Sequence, residues 1–316
     1  MATTSSAVAD STSIMDTTSS EQSTRSAIRS LARDVRNLVL RKCRRTLQVG
    51  KPYDPFKIAE VFGIELKLCS SANPCGRLYH RGPEWTILVP ASMPLSRQRF
   101  ACAHELGHFF VRSLENNDII HELLRVKEKH DFRVAEEIFC DIFAEELLLP
   151  AEDIGPHLRE NRLHLHGFRQ LIAEYGCSLQ TTAIRITQFA HDYAFLFATL
   201  ERQRSRKNVL IVRWTATPPG TFLPKHKTIS FASVIGKAFV SKQDISETED
   251  KPLGSLRGSY YVEAMPVGRS VGAFALIQLS SSYQLHFAFP PGWGLTSERT
   301  HPRQLSFWDT MTSVNY

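Results

Sequence analysis

The chain has 316 residues, 42% of them hydrophobic, and 38 Lys/Arg against 32 Asp/Glu give a net charge of +6. That length predicts two domains, or one domain with extensions, and the hydrophobic share is enough for an ordinary soluble core. No run of about 18 apolar residues occurs, so no transmembrane helix is expected, and six cysteines without a Cys-x-x-Cys pair fit a reducing cytoplasm.

Residues 1–25 are rich in Ser, Thr and Ala and read as a disordered tail. They lack the apolar core of a secretory signal, and Asp10, Asp16 and Glu21 argue against a transit peptide. From Arg25 to Lys51 nine Lys/Arg face only Asp34, a net +8 that exceeds the +6 of the whole chain, so the remainder is close to neutral. Ile28, Leu31, Val35, Leu38 and Val39 recur at helical spacing, with Arg25, Arg29, Arg33, Arg36 and Arg41 on the remaining surface. One reading of this 25–51 segment is a patch for DNA, an acidic partner or membrane phosphates. The other is a solvated face on a helix that caps the next domain, and it is favoured because the apolar stripe needs a packing partner.

Pro52-Tyr53-Asp54-Pro55 opens a short helix from Phe56 to Phe62, ended by Gly63. Ile64–Leu68, Gly76–Tyr79 and Trp85–Val89 read as strands. The strand at 85–89 is the candidate edge that would hold an extended peptide by main-chain hydrogen bonds. Tyr79 and His80 are weak candidates for stabilising an oxyanion, and exposed loop residues are the favoured reading of both.

The stretch from Phe100 to Phe110 contains His104-Glu105-Leu106-Gly107-His108. Residues i and i+4 share one face of a helix, so both imidazoles can point at one metal ion. Glu105, from a neighbouring angle, can reach a water at that metal and take its proton. Gly107 is a poor helix former, which suggests close approach of another backbone or of substrate. Leu114 to Arg133 forms a charged insert whose His121 and His130 read as surface residues. Val134 to Leu149 then reads as a second helix stopped by Pro150. Within it Glu137 and Asp141 are four apart, offering one carboxylate to a metal and one to the spare N–H of a ligating histidine. Glu136, Glu145 and Glu146 compete as ligands on number alone.

These two stretches together resemble the ImmA/IrrE-type metallopeptidases, whose first helix reads F-x-x-A-H-E-L-G-H and whose second reads E-x-x-A-N-x-F-A-x-x-L-L-M-P. The second motif is present as Glu137, Cys140, Asp141, Phe143, Ala144, Leu147, Leu148, Leu149 and Pro150. Cys140, Asp141 and Leu149 depart from the usual small residue, Asn and Met, and none of these departures removes a ligand. The resemblance implies that Glu137 is the third zinc ligand. It also implies that Asp141 restores the Glu-x-x-x-Asp pattern of thermolysin-like enzymes and orients a zinc histidine.

Phe168–Tyr175 and Ser178–Ala190 read as a helical pair joined at Gly176, with Ser178 as N-cap. The pair is similar to a Ser-x-x-A-x-x-R-L element of the same family. It also suggests a helix-turn-helix, although Arg185 alone is too little positive charge for strong phosphate contact. Glu201–Asn208 reads as a linker. Val209–Trp214, Thr228–Ser233, Tyr260–Pro266, Gly272–Leu279 and Gln284–Phe289 read as strands, and residues 291–316 as a loose tail.

The expected fold is α+β: a zincin-like metallopeptidase domain over 26–200, helices with a small sheet, followed by a smaller β-rich domain over 208–290. The expected activity is a zinc-dependent metalloendopeptidase with His104, His108 and Glu137 on Zn2+, Glu105 as base and Asp141 behind a histidine. Mn or another divalent ion would suit the same donors. Family resemblance implies a protein substrate, a helix-turn-helix repressor cut in response to stress. The alternatives are a regulatory binding protein with a structural zinc, and a DNA-binding regulator using the 25–51 segment and the segment at 168–190.

Overall fold

Between Asp10 and Thr46 the chain contains neither glycine nor proline, and a single helix, α1, runs through all 37 residues. It starts inside the segment read from the sequence as a tail, because nothing there interrupts a helix once one has formed. The computed structural model describes residues 10–46, 52–70, 76–113, 132–160, 163–202, 208–254, 256–268 and 271–279. The insert with His121 and His130, the strand expected at 284–289 and the segment 291–316 lie outside the described residues.

The buried face of α1 is Ile28, Ala32, Val35, Val39 and Cys43, at steps of four and three residues. Leu38, assigned to that stripe from the sequence, is exposed instead. The arginines also depart from expectation. Arg29 and Arg36 are buried, and with Arg33 they converge on Glu146 of α4 (Phe132–Leu148). They flank the apolar stripe, so docking the stripe carries them into the contact. A solvated basic face is therefore not what this part of α1 provides.

Asp54 caps α2 (Pro55–Val61) by accepting from the Phe56 N–H. The chain then forms β1 (Ile64–Cys69), β2 (Arg77–Arg81) and β3 (Glu84–Pro90), in the order β1-β3-β2. β3 runs parallel to β1 and antiparallel to β2, with which it forms a hairpin. The strand at 85–89 is thus central and not an edge, which corrects the sequence reading. Its Ile87 and Val89 are fully buried, and the most apolar strand takes the middle of the sheet. β2 is the edge on the hairpin side.

Helix α3 (Leu95–Ser113) packs along α4. A Cβ on Gly107 would lie 2.9 Å from the Cα of Cys140, so only glycine permits this approach of the two helices. After Pro150 come α5 (Ala151–Glu160), α6 (Leu165–Tyr175) and α7 (Leu179–Thr187), the last capped by Ser178. Arg185 of α7 is fully buried and places its guanidinium 2.8 Å from Glu146. The one basic residue of the suspected recognition helix is therefore not available to nucleic acid.

Six antiparallel strands follow in the order β6-β5-β4-β9-β8-β7: β4 (Tyr193–Arg202), β5 (Asn208–Ala216), β6 (Thr228–Ile229), β7 (Ile245–Asp250), β8 (Ser259–Val267) and β9 (Gly272–Gln278). β8 pairs antiparallel with β9, Val267 opposite Gly272. One face carries Phe195, Phe197, Trp214, Phe274 and Leu276 into the core shared with the helices, where Phe168 of α6 stacks on Phe195 and Phe274. The other face, rich in alanine, is covered by α8 (Val234–Ser241). Glu263 of β8 fastens this sheet to the start of α6, pairing with His164 and accepting from the Leu165 N–H at 2.9 Å. The architecture is an α+β zincin-like domain followed by a smaller β-rich domain. β4 begins seven residues before the sequence-based division at 200, since Tyr193 to Ala198 is an apolar run buried on both faces of the sheet.

Glu146 is the anion on which α1, α4 and α7 meet. Burial alone would raise its pKa, but Arg185, Arg29 and Arg33 overcome that and pull it down to about 2. Glu146→Ala strips the buried guanidiniums of their shared partner and is expected to cost about 3–5 kcal/mol in urea unfolding. The carboxylate's folded pKa lies below its unfolded value. Its contribution is therefore full above the ordinary carboxylate range and fades as pH falls through that range toward 2, a loss that Glu146→Gln should not show.

Candidate active site

His104 and His108 project from one side of α3, with ring centroids 4.9 Å apart. Glu137 of α4 faces both. Its two carboxylate oxygens lie 3.3 Å from His104 Nε2 and 3.5 Å from His108 Nε2. Four donors at zinc–ligand distances of about 2.0–2.1 Å in tetrahedral array sit about 3.3 Å from one another. Each imidazole Nε2 lies close to that spacing from a different Glu137 oxygen, so a carboxylate set between the two rings suits a zinc ion.

The Nδ1 atoms are held from behind. Asp141 Oδ1 lies 2.9 Å from His104 Nδ1, and Glu136 Oε1 lies 2.7 Å from His108 Nδ1. A carboxylate on each Nδ1 fixes the proton there and turns each Nε2 lone pair toward the shared centre. Burial works against a charge on His104, but the hydrogen bonds to Asp141 and Glu137 outweigh it and push its pKa up to about 10. Burial raises Glu136 as well, yet His108 and Arg112 pull it below the usual carboxylate range. Arg112 approaches Glu136 Oε1 at 3.1 Å through its outer nitrogen and at 3.2 Å through Nε.

Glu136 was missed from the sequence as a partner of His108. The available signal was Arg112, four residues after His108 on the same helix face and so able to reach the same carboxylate. The Sγ of Cys140 also falls within 4.8 Å of donor atoms on His104 and His108. This thiol is fully buried behind the pair, and burial together with Glu136 and Glu137 holds its pKa well above the ordinary value. A protonated thiol is a poor ligand. Glu137, half-exposed and set between both Nε2 atoms, is the better third donor.

Glu105 is buried, and burial raises its pKa although His104 and His108 oppose the shift. A backbone hydrogen bond ties it to Leu78 of β2. Gly76, just before β2, lies so close that a Cβ there would come within 3.2 Å of Glu105 Oε1. The edge strand thus begins directly against this carboxylate. His80 stacks on Trp85 at 4.0 Å, and Trp85 packs on Phe109 of α3. Tyr79, its neighbour on the strand, belongs to the opposite face of the sheet. Neither is brought to the metal site by these contacts.

A zincin-like domain with two helix-borne histidines, a facing glutamate and a buried glutamate between them is a zinc metallopeptidase domain. Residues 59–187, less than half of the chain, match the IrrE N-terminal-like domain of peptidase M78. The match encloses His104, Glu105, His108, Glu136, Glu137 and Asp141 and leaves out α1 and the whole second sheet. A solved Mycobacterium tuberculosis transcriptional regulator is similar at 15% identity, over 82% of this chain and 80% of that one, with a TM-score of 0.47. No curated protein matches the chain.

Two outcomes follow from this geometry. Glu136→Ala should weaken zinc binding by about 10–100-fold in a chelator competition, without unfolding the protein. Zinc uptake at pH 7 should release about one proton, because His104 in the metal-free protein holds one up to about pH 10 and must give it up to ligate. Calorimetry in two buffers of different ionisation enthalpy measures that number.

Proposed function

We propose that this protein is a zinc-dependent endopeptidase that cuts a regulatory protein, with His104, His108 and Glu137 as ligands. The observation that carries the reading is the convergence of these three donors beside the buried Glu105. Bound there, zinc lowers the pKa of its water toward about 7 and polarises the scissile carbonyl. Asp141 and Glu136 hold the two imidazoles in register. Glu105 accepts a proton from the attacking water and returns it to the leaving amine. Its burial favours this role, since a raised pKa brings a carboxylate closer to a working base at neutral pH.

The substrate segment lies extended along β2, whose outer edge is unpaired among the described residues. β2 starts at the base, so a strand added there delivers its peptide bond to Glu105. The substrate implied by the family resemblance is a helix-turn-helix repressor. Direct DNA binding is the weaker reading, because Arg29, Arg33, Arg36 and Arg185 are spent on Glu146. Among the described residues no helix is long and apolar enough to cross a membrane.

Glu105→Gln should keep zinc and lose cleavage by about two to four orders of magnitude. New protein N-termini in host cells expressing the wild type, absent with Glu105→Gln, would name the substrate. Identical N-termini in both, under resting and stressed conditions alike, would point to a binding protein with a structural metal.

A further inference from the structure

The basic run of α1 divides into two halves with different fates. Arg29, Arg33 and Arg36 are committed to carboxylates of α4 and α5, with Arg36 reaching both Glu146 and Glu152. Arg41 and Arg44, farther along the same helix, are exposed and make no ion pair or hydrogen bond among the described residues. They line a cavity of about 340 Å³ with Asn37, Leu40, Tyr53 and Glu152. That volume falls within the range of small-molecule sites, about 300–1,000 Å³.

The polar groups of this cavity are arranged by a buried side chain. Arg36 is only 2% exposed, and it donates to Asn37 Oδ1 at 2.8 Å and pairs with Glu152 Oε1 at 2.7 Å. With its oxygen accepting from Arg36, the Asn37 amide keeps its N–H donors for a ligand. With Arg36 against it, Glu152 keeps its remaining lone pairs as acceptors. Arg41 and Arg44 are three apart on one helix face and can grip one phosphate from two sides. Leu40 and the largely buried Tyr53 supply an apolar wall.

We propose that this cavity binds a nucleoside monophosphate, the phosphate on Arg41 and Arg44, sugar hydroxyls on Glu152 and the base against Leu40 and Tyr53. The carboxylate selects against a continuous polyanion such as a nucleic-acid strand, which would bring a second phosphate toward Glu152. The proposal does not depend on the peptidase reading, since the cavity uses none of the residues assigned to that site.

The test is calorimetric titration of the full zinc-loaded chain with adenosine monophosphate, adenosine, inorganic phosphate and a single-stranded oligonucleotide. Adenosine monophosphate should bind best, and more weakly as salt rises. Arg41→Gln/Arg44→Gln should weaken it by on the order of a hundredfold, about tenfold for each charge-assisted contact. The unliganded variant should melt with the wild type, since neither side chain has a partner among the described residues. Loss of adenosine monophosphate binding in the wild type, or binding that survives the double substitution, overturns the site. Equal affinity for inorganic phosphate overturns the nucleoside half of the proposal, and tighter binding of the oligonucleotide overturns it in favour of a strand-tracking surface.

Discussion

The close approach of α3 and α4 at Gly107 is the constraint from which the site follows. With no side chain on Gly107, the backbone of α4 comes against α3 at Cys140. Glu136, Glu137 and Asp141 lie within one turn of that point, so they fall opposite His104 and His108. Any larger residue at 107 would push the helices apart, and the four carboxylate–histidine contacts at 2.7–3.5 Å would open together. Hydrogen bonds weaken steeply over such displacements. The donor set is therefore a property of helix packing more than of any one loop.

The far end of α4 is held by a different kind of force. Glu146, two turns or so beyond Glu137, is wholly buried among arginines from α1 and α7. Such a cluster brings little net stability over an apolar contact of the same shape. It does fix rotation: turning α4 about its axis would leave at least one buried charge unpaired. α1 lies outside the matched family segment, yet through Glu146 it helps set the angle at which α4 presents Glu137. The second sheet closes the same core from another side through Phe195 and Phe274 on Phe168.

What could be read from the sequence follows from the range of each interaction. The helix pair, with its two histidines at i and i+4, was legible together with the α+β class, while Glu137 was named as a ligand through the family resemblance. Asp141 reached His104 as the same spacing implied. The edge assignment failed because strand order is a matter of chain path, which alternation does not encode: β3 lies between β1 and β2. The arginines of α1 were misread because their partners lie more than a hundred residues away. β7, with Glu247, Glu249 and Asp250, has no apolar alternation to announce it and is a strand by virtue of pairing with β8.

The charge balance of the site explains why it needs a cation. Buried Glu105 and the half-exposed Glu137 and Asp141 bear on His104, while Glu136 is matched by Arg112. Without a metal, His104 makes up part of the deficit by holding a proton up to about pH 10, despite burial that opposes it. A dication held by His104, His108 and Glu137 would supply more charge, and to both imidazoles and Glu137 at once. The proton and the metal compete for one Nε2, so the same field that binds zinc sets how strongly zinc uptake depends on pH. Glu105 feels the opposite sign of this balance. The histidines lower its pKa, burial and Glu137 raise it, and the net upward shift leaves it a stronger base than a solvated glutamate. The features that make the site attract a metal are thus the ones that ready its neighbour to take a proton.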